Sequence, residues 1–284
     1  LFAIQTNNES IKRFTPSSIN SFIYCPFKFY LHYVRGLRED ETVEESMQAN
    51  EFGNVFHKTL EQLYSPFLNL EINNTDIENL LSEVMVAVEN ALKTEYDKYY
   101  VNEGENYLFQ KVLEELVVKT LKHDMLYAPF RIIALEAEYS QYIDLGDNIS
   151  VKLFGKFDRI DQKEETTRVI DYKTGKADLA TEILPQDLFT NSDHKINLQL
   201  LIYNELASAN LHSLNVLCGV YPLKKSSDGM QYLAGMNALN EQTRNAFFNQ
   251  LRDFLKHILF ESEFKQTSDY KKCEKCGFKR LCNR

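Results

Sequence analysis

Gly155-Lys156-Phe157-Asp158-Arg159-Ile160-Asp161 and Val169-Ile170-Asp171-Tyr172-Lys173-Thr174-Gly175-Lys176 lie on either side of the turn signal Glu164-Glu165-Thr166. Both read as strands, and together they predict an antiparallel pair with a carboxylate near one end of each strand. Asp171 and Lys173 are two apart, so a carboxylate and an ammonium project from the same face of their strand. D-x-K alone carries little information, because it occurs four times here, at Asp161, Asp171, Asp193 and Asp269. Asp171 is distinguished by its apolar strand, the turn that follows it and Asp158 on the neighbouring strand. Two converging acids repel unless a cation sits between them, and hard oxygen ligands favour magnesium or manganese. The bland alternative is a surface salt bridge between Asp171 and Lys173.

Upstream, Ile133, Leu135, Ala137 and Tyr139 alternate, and so do Ile149, Val151 and Leu153 beyond the turn signal Gly146-Asp147-Asn148. These predict an antiparallel meander running into the D-x-K strand. A helix over 196–206, a strand over 215–221 and a long helix over 240–260 complete an α/β arrangement, helices covering a sheet. On the N-terminal side, Thr15-Pro16-Ser17-Ser18 is a capped helix start, and Pro26 forces a restart just after Cys25. A helix over 51–64 carries Phe52, Phe56, Leu60 and Leu63 on its apolar stripe. Ile77, Leu80, Leu81, Val84, Val88 and Leu92 mark a further helix, and Leu108, Val112, Leu116, Val117, Leu121 and Met125 mark another.

Two polar pairs share helix faces: Gly53 with His57, and Gln199 with Tyr203, each at i and i+4. The glycine permits close backbone approach and the imidazole can ligate a metal. Taken singly, each pair is an ordinary structural feature. Of five cysteines, Cys218 sits in an apolar run and reads as a small buried hydrophobe. Cys273, Cys276 and Cys282 lie among Lys, Glu, Gly and Arg, a setting that favours thiolates, and Cys25 is the remaining candidate for a fourth ligand. Four thiolates hold zinc or an iron–sulfur cluster. Zinc prefers paired C-x2-C knuckles, so one remote Cys with a compact trio favours the cluster, with zinc as the alternative.

The chain has 284 residues and a formal charge of -9, which alone argues against a protein coated with nucleic acid. The charge is uneven. Residues 1–38 carry five basic and one acidic side chain and residues 265–284 carry seven and two, so the two ends sum to +9 and the middle holds -18. Joined in space, the ends would make one basic surface on an acidic body. No apolar run approaches the roughly 18 residues of a membrane span, and a soluble, cytoplasmic chain is expected. The start at Leu1 leads us to expect a piece of a larger polypeptide, with 1–12 a tail or linker and 13–284 a single domain. Within that domain, 66–128 is read as a helical insertion and 265–284 as a Cys-rich basic segment.

The succession G-x-x-x-H, G-x-x-D-R-I-D, D-Y-K-T-G-K and Q-x-x-x-Y, enclosed by Cys25 and the terminal cysteine trio, resembles the RecB-like nucleases of the PD-(D/E)xK superfamily. Within them it looks like the iron–sulfur branch of AddB-type nuclease domains and CRISPR-associated adaptation nucleases. The resemblance implies a restriction-endonuclease-like α/β core: a small mixed sheet with an antiparallel meander, covered by helices, plus an added helical region. It implies that Asp158 and Asp171 bind Mg2+ or Mn2+, with His57 a further ligand. Lys173 would orient or activate the attacking water, while Gln199 and Tyr203 contact phosphate or support Lys173. It also implies a 4Fe-4S cluster on Cys25, Cys273, Cys276 and Cys282. The implied activity is a DNA nuclease, an exonuclease by preference, leaving 5'-phosphate and 3'-hydroxyl ends. The implied partners are DNA, as a single strand or duplex end, and a helicase domain or subunit, with no membrane. A catalytically silent DNA-binding module that keeps the fold and an iron–sulfur or zinc site is the alternative; loss of a metal carboxylate or the lysine would mark it, and none is missing. The stretch from about Ser65 to Ala128 carries no motif of the family.

Overall fold

The computed structural model describes residues 13–39, 49–95, 104–175, 177, 179–180, 185–211, 215–223, 229–233 and 241–284. The expected tail 1–12 and Lys176 lie outside them. The chain opens with strand β1 (Arg13–Phe14) and helix α1 (Pro16–Tyr24). Thr15 caps α1 through a reciprocal pair of bonds with Ser18, and Pro16 supplies the first helical residue. Cys25 breaks the helix in an extended conformation, and α2 (Pro26–Phe29) restarts and continues as a wider turn through Val34. Then come α3 (Ala49–Tyr64), strand β2 (Glu71–Ile72), and the long helices α4 (Asn74–Glu95) and α5 (Gly104–Tyr127).

Strands β3 (Phe130–Gly146), β4 (Ile149–Lys163) and β5 (Thr166–Lys173) form the antiparallel meander. Gly146, Asp147 and Asn148 all adopt positive φ at the first turn, as their residue types favour. Helix α6 (Lys195–Leu211) crosses over to β6 (Val216–Pro222), which pairs parallel to β5, and β7 (Gln231–Tyr232) lies antiparallel beyond it. The sheet is therefore mixed, in the order β2-β3-β4-β5-β6-β7, with β1 parallel to β4. Helix α7 (Glu241–Phe260) precedes the cysteine-rich end.

The sheet is covered on both faces. One core packs Phe157, Val169 and Cys218 against residues of α1, α6 and α7, among them Phe22, Leu206 and Leu255. The other packs Ile132, Ile170 and Tyr172 against α3, α4 and α5 through Phe56, Val88 and Val117. Neighbouring Val169 and Ile170 thus serve opposite cores, the period-two signature of a strand buried on both sides. Cys218 is 4% exposed, as a small hydrophobe should be.

Two expected faces differ. The alternating set Ile133 to Tyr139 is only half-buried; the buried residues of β3 are Phe130, Ile132, Ile143 and Leu145. A register shift between Ile132 and Ala134 and a positive φ at Glu136 interrupt the alternation. On α5, Leu108 and Val112 are exposed, and the buried face is Gln110, Leu113, Val117, Thr120, Leu121 and Asp124.

Candidate active site

β4 and β5 meet so that Arg159 pairs with Ile170, which sets Asp158 and Asp171 side by side just past the last paired position. The backbone N–H of Tyr172 donates to Asp158 Oδ2 at 2.7 Å and fixes that carboxylate. Asp171 is 2% exposed, and Lys173 Nζ reaches its Oδ2 at 2.7 Å, the shared face that the spacing predicted. Gln199, on α6, donates from Nε2 to Asp171 Oδ1 at 2.7 Å and to the Tyr203 hydroxyl at 2.8 Å. The hydroxyl in turn donates to the Lys156 carbonyl at 2.7 Å. The amide and phenol therefore brace Asp171 and β4, and among the described residues they make no bond to Lys173. This bracing requires Gly155: a Cβ there would lie 2.8 Å from Leu206 and 3.1 Å from Tyr203, so a side chain would push α6 off the strand. Gly53 is less constrained, its nearest neighbour to an added Cβ being Thr174 at 3.4 Å.

His57 projects from α3 toward β3 and β4. Its Nδ1 lies 3.4 Å from Asp158 Oδ1 and 3.4 Å from Glu136 Oε1. Ligand atoms of His57, Glu136 and Asp158 all fall within 4.8 Å of one another, so an imidazole and two carboxylates could share one ion. Glu136 was not singled out in the sequence. In Leu135-Glu136-Ala137-Glu138-Tyr139 it passes for one polar position of an alternating strand, and the backbone irregularity that turns it inward leaves no mark in the composition. Lys156 Nζ holds its other oxygen at 2.6 Å.

These residues line an open cleft of about 750 Å³, together with Lys58, Glu61 and Glu95. Its electrostatics are tightly coupled. Burial pushes the Asp171 carboxyl up to about 6; Lys173 opposes the rise and the Asp158 charge adds to it. Burial disfavours charge on His57, but Asp158 and Glu136 more than compensate and raise the ring to about 10. Burial also works against the Glu136 carboxylate, yet His57 and Lys156 hold it below its ordinary value. Partial burial disfavours charge on Lys173, but Asp171 and Asp158 raise its pKa. The imidazolium and two ammonium groups thus offset the charge of three neighbouring acids.

The second expected constellation draws on both ends of the chain. Cys25, Cys273, Cys276 and Cys282 line one small cavity with Tyr24, Lys28 and Lys272. Cys25 is buried and its sulfur accepts from the Lys28 N–H. Tyr24 donates to the Lys272 carbonyl, Phe27 N–H donates to the Lys265 carbonyl, and Gly277 N–H donates to Glu39. The basic N-terminal helices and the basic C-terminal segment therefore do meet. Phe29 stacks on Tyr33, and both Phe29 and Tyr30 stack on Phe264, so these rings are packed within the protein.

A two-faced mixed sheet with acids and a lysine at the join of β4 and β5 defines a nuclease fold. Residues 13–283 match the sequence profile of the PD-(D/E)XK nuclease superfamily, and the chain belongs to that superfamily. It is similar to an ATP-dependent helicase/deoxyribonuclease subunit of Staphylococcus epidermidis, 23% identical over 77% of this chain and 19% of that protein. The protein of the same description from Listeria welshimeri is 26% identical over 70% of this chain and 18% of its own length. The chain thus spans about a fifth of the length of these curated relatives. An uncharacterised protein of Rickettsia conorii is 28% identical over 73% of this chain and 24% of that protein. A crystal structure from Eubacterium rectale, described as a "Putative exonuclease", superposes with a TM-score of 0.51 at 13% identity, covering 100% of this chain and 93% of that one; the likeness is one of fold. No helix among the described residues is long and apolar enough to cross a membrane.

Proposed function

We propose that the chain is the nuclease module of a helicase–nuclease and that it hydrolyses DNA phosphodiesters with a divalent metal ion, working from strand ends. The observation that carries this reading is the convergence of His57, Glu136, Asp158, Asp171 and Lys173 in one solvent-open cleft. The donor set fits Mg2+ or Mn2+: carboxylate oxygens dominate, with one imidazole. His57, Asp158 and Asp171 would hold the ion, with Glu136 beside them. An ion bound there supplies Lewis acidity toward a phosphoryl oxygen. Asp171, braced by Gln199, stays aimed into the cleft. Lys173 donates hydrogen bonds toward the nucleophile or the developing phosphoryl charge, work suited to an ammonium held charged by two acids. Tyr203 keeps the α6 face registered on β4.

We further propose a 4Fe-4S cluster on Cys25, Cys273, Cys276 and Cys282, supported by their gathering around one cavity. DNA and a helicase partner follow from the description of the relatives as helicase/deoxyribonuclease subunits. The test is anaerobic purification followed by measurement of iron content and of magnesium-dependent digestion of end-labelled single-stranded DNA. Digestion that needs the metal and disappears in Asp171→Asn is expected; undiminished digestion by that variant would refute the site.

A further inference from the structure

Three of the four cysteines around the small cavity are placed by their own stretch of chain. Cys276 N–H donates to the Cys273 carbonyl, Lys279 N–H to the Cys276 carbonyl and Cys282 N–H to the Phe278 carbonyl, so consecutive turns fix the trio locally. Cys25 is remote from them in sequence. It comes from the break between α1 and α2, and contacts between the two ends of the chain must set it against the trio.

Two such contacts lie beside the cysteines themselves. The Tyr24 hydroxyl donates to the Lys272 carbonyl at 2.6 Å, and these two residues directly precede Cys25 and Cys273. Gly277, which follows Cys276, donates its N–H to Glu39 Oε2 at 3.0 Å, and Oε1 of that carboxylate pairs with Lys28 Nζ at 2.7 Å. Lys28 in turn donates its backbone N–H to the Cys25 sulfur at 3.5 Å. One carboxylate therefore ties the turn that carries Cys25 to the turn that carries Cys276, through bonds strengthened by its charge. Gly277 points the same way. Its φ is not positive, so the missing side chain serves no unusual backbone conformation. What it provides is room: an added Cβ would lie 2.5 Å from Glu39 Cβ and 2.9 Å from Oε2. The cysteine spacing gives no sign of Glu39, which stands 238 residues from its amide partner.

We infer that Glu39 is a positioning residue of the cysteine centre: its carboxylate sets Cys25 against Cys276, so that the four thiolates can close around one cluster and retain it. Placement and locking are separate tasks. The clasp aims the thiols and the bonded centre then locks them, so losing the clasp shows in how readily the site closes and how long it stays loaded. The inference rests on the cluster proposed above, and its test includes an arm that needs no iron. The full chain is reconstituted anaerobically as wild type, Glu39→Ala, Glu39→Gln and Gly277→Ala, and decay of the iron–sulfur absorbance is followed in excess chelator. In parallel, the metal-free chains are treated with dibromobimane, which bridges neighbouring thiols, and the Cys25 to Cys276 link is quantified by peptide mass spectrometry.

Glu39→Ala should lose absorbance about tenfold faster, the lower end of the range for groups that orient a metal ligand. Gly277→Ala should match it, because the new methyl displaces the carboxylate. Glu39→Gln keeps an acceptor for the Gly277 N–H but not the charge paired with Lys28, so it should fall between. The bimane link should form about tenfold less readily in Glu39→Ala, the shift expected from losing one charge-assisted hydrogen bond. The melting temperature of the metal-free chain should barely move, since the ion pair is partly exposed. Unchanged absorbance decay and unchanged cross-linking in both Glu39→Ala and Gly277→Ala would overturn the inference, as would a fall in metal-free melting temperature large enough to account for the whole loss. A wild-type chain that takes up no iron defeats the cluster alone, and the cross-linking arm still decides the role of Glu39.

Discussion

Asp171 sits between opposed demands. Burial and the nearby Asp158 favour its neutral form, while Lys173 and the Gln199 amide stabilise its charge. Removing Gln199 should therefore harm the site less than removing the acid itself. Asp158→Ala, Asp171→Ala and Lys173→Ala are each expected to reduce metal-dependent cleavage by at least about a hundredfold, with Gln199→Ala losing about 10–100-fold, the range for groups that orient a metal ligand. Circular dichroism and single-turnover kinetics would check that cleavage falls and the fold survives. Glu136→Gln makes a sharper case. It removes one charge facing His57 and frees Lys156, so metal affinity should fall about 10–100-fold and excess manganese should restore part of the rate. A variant with wild-type affinity for manganese would place Glu136 outside the metal site. Asp158, Asp171 and Lys173 were legible because their spacing along strands dictates a shared face. Glu136 was not, because its arrival depends on a local backbone irregularity in β3.

Among the elements, α5 was legible as a helix but misread in its facing. The apolar set beginning with Leu108 and Val112 predicted its buried side, yet those two are exposed and the buried side carries Gln110, Thr120 and Asp124, which a hydrophobic periodicity counts as exposed. Asp124 explains the discrepancy. It receives both terminal nitrogens of Arg159, at 2.7 and 2.8 Å, and the hydroxyl of Tyr64. Arg159 also approaches Asp161, which is doubly bonded by Arg168. Two acids and two guanidinium groups thus form a buried, electrically balanced chain joining α5 to β4 and β5. Arg159 follows Asp158 directly, and Tyr64 lies on the helix that carries His57, so the helical region without family motifs anchors the elements that bear the site. Asp124→Asn leaves one buried positive charge uncompensated and should cost about 3–5 kcal/mol in urea unfolding. The pH dependence has a definite sign. Burial opposes the Asp124 charge, but Arg159 outweighs it and holds the carboxyl below its ordinary value of 3.8. The stabilisation is therefore complete above about pH 4 and lost as pH falls through the lower folded value. Asp124→Asn should flatten that part of the acid-unfolding curve, and an unchanged acid limb would show that Asp124 adds nothing to it.

For the whole molecule, the question is what holds its two ends together. Tyr24 and Lys272, which are bonded directly, stand 248 residues apart in sequence. Phe27 to Lys265 and Glu39 to Gly277 add single hydrogen bonds on a partly exposed surface, and the Phe264 ring stacks on Phe29 and Tyr30. Gly277 is fitted closely there, since a Cβ would fall 2.5 Å from Glu39. Such contacts do not readily offset the repulsion among the lysines and arginines of this end, and four thiolates sharing an inorganic centre would. A cross-link closing so long a loop removes on the order of 5 kcal/mol of unfolded-state entropy. Cys25→Ala should accordingly lose the broad iron–sulfur absorbance, melt about 10 °C lower and become open to proteolysis near both termini. Cys218→Ala, altering a thiol buried in β6, should keep colour and cleavage. Binding of single-stranded DNA should weaken with Cys25→Ala in a salt-dependent manner, because the basic surface assembled there disperses when the ends part. A colourless wild-type chain after anaerobic reconstitution, holding one zinc ion and no less stable with Cys25 replaced, would sink the cluster and leave the hydrogen bonds and the rings packed on Phe264 to close the fold.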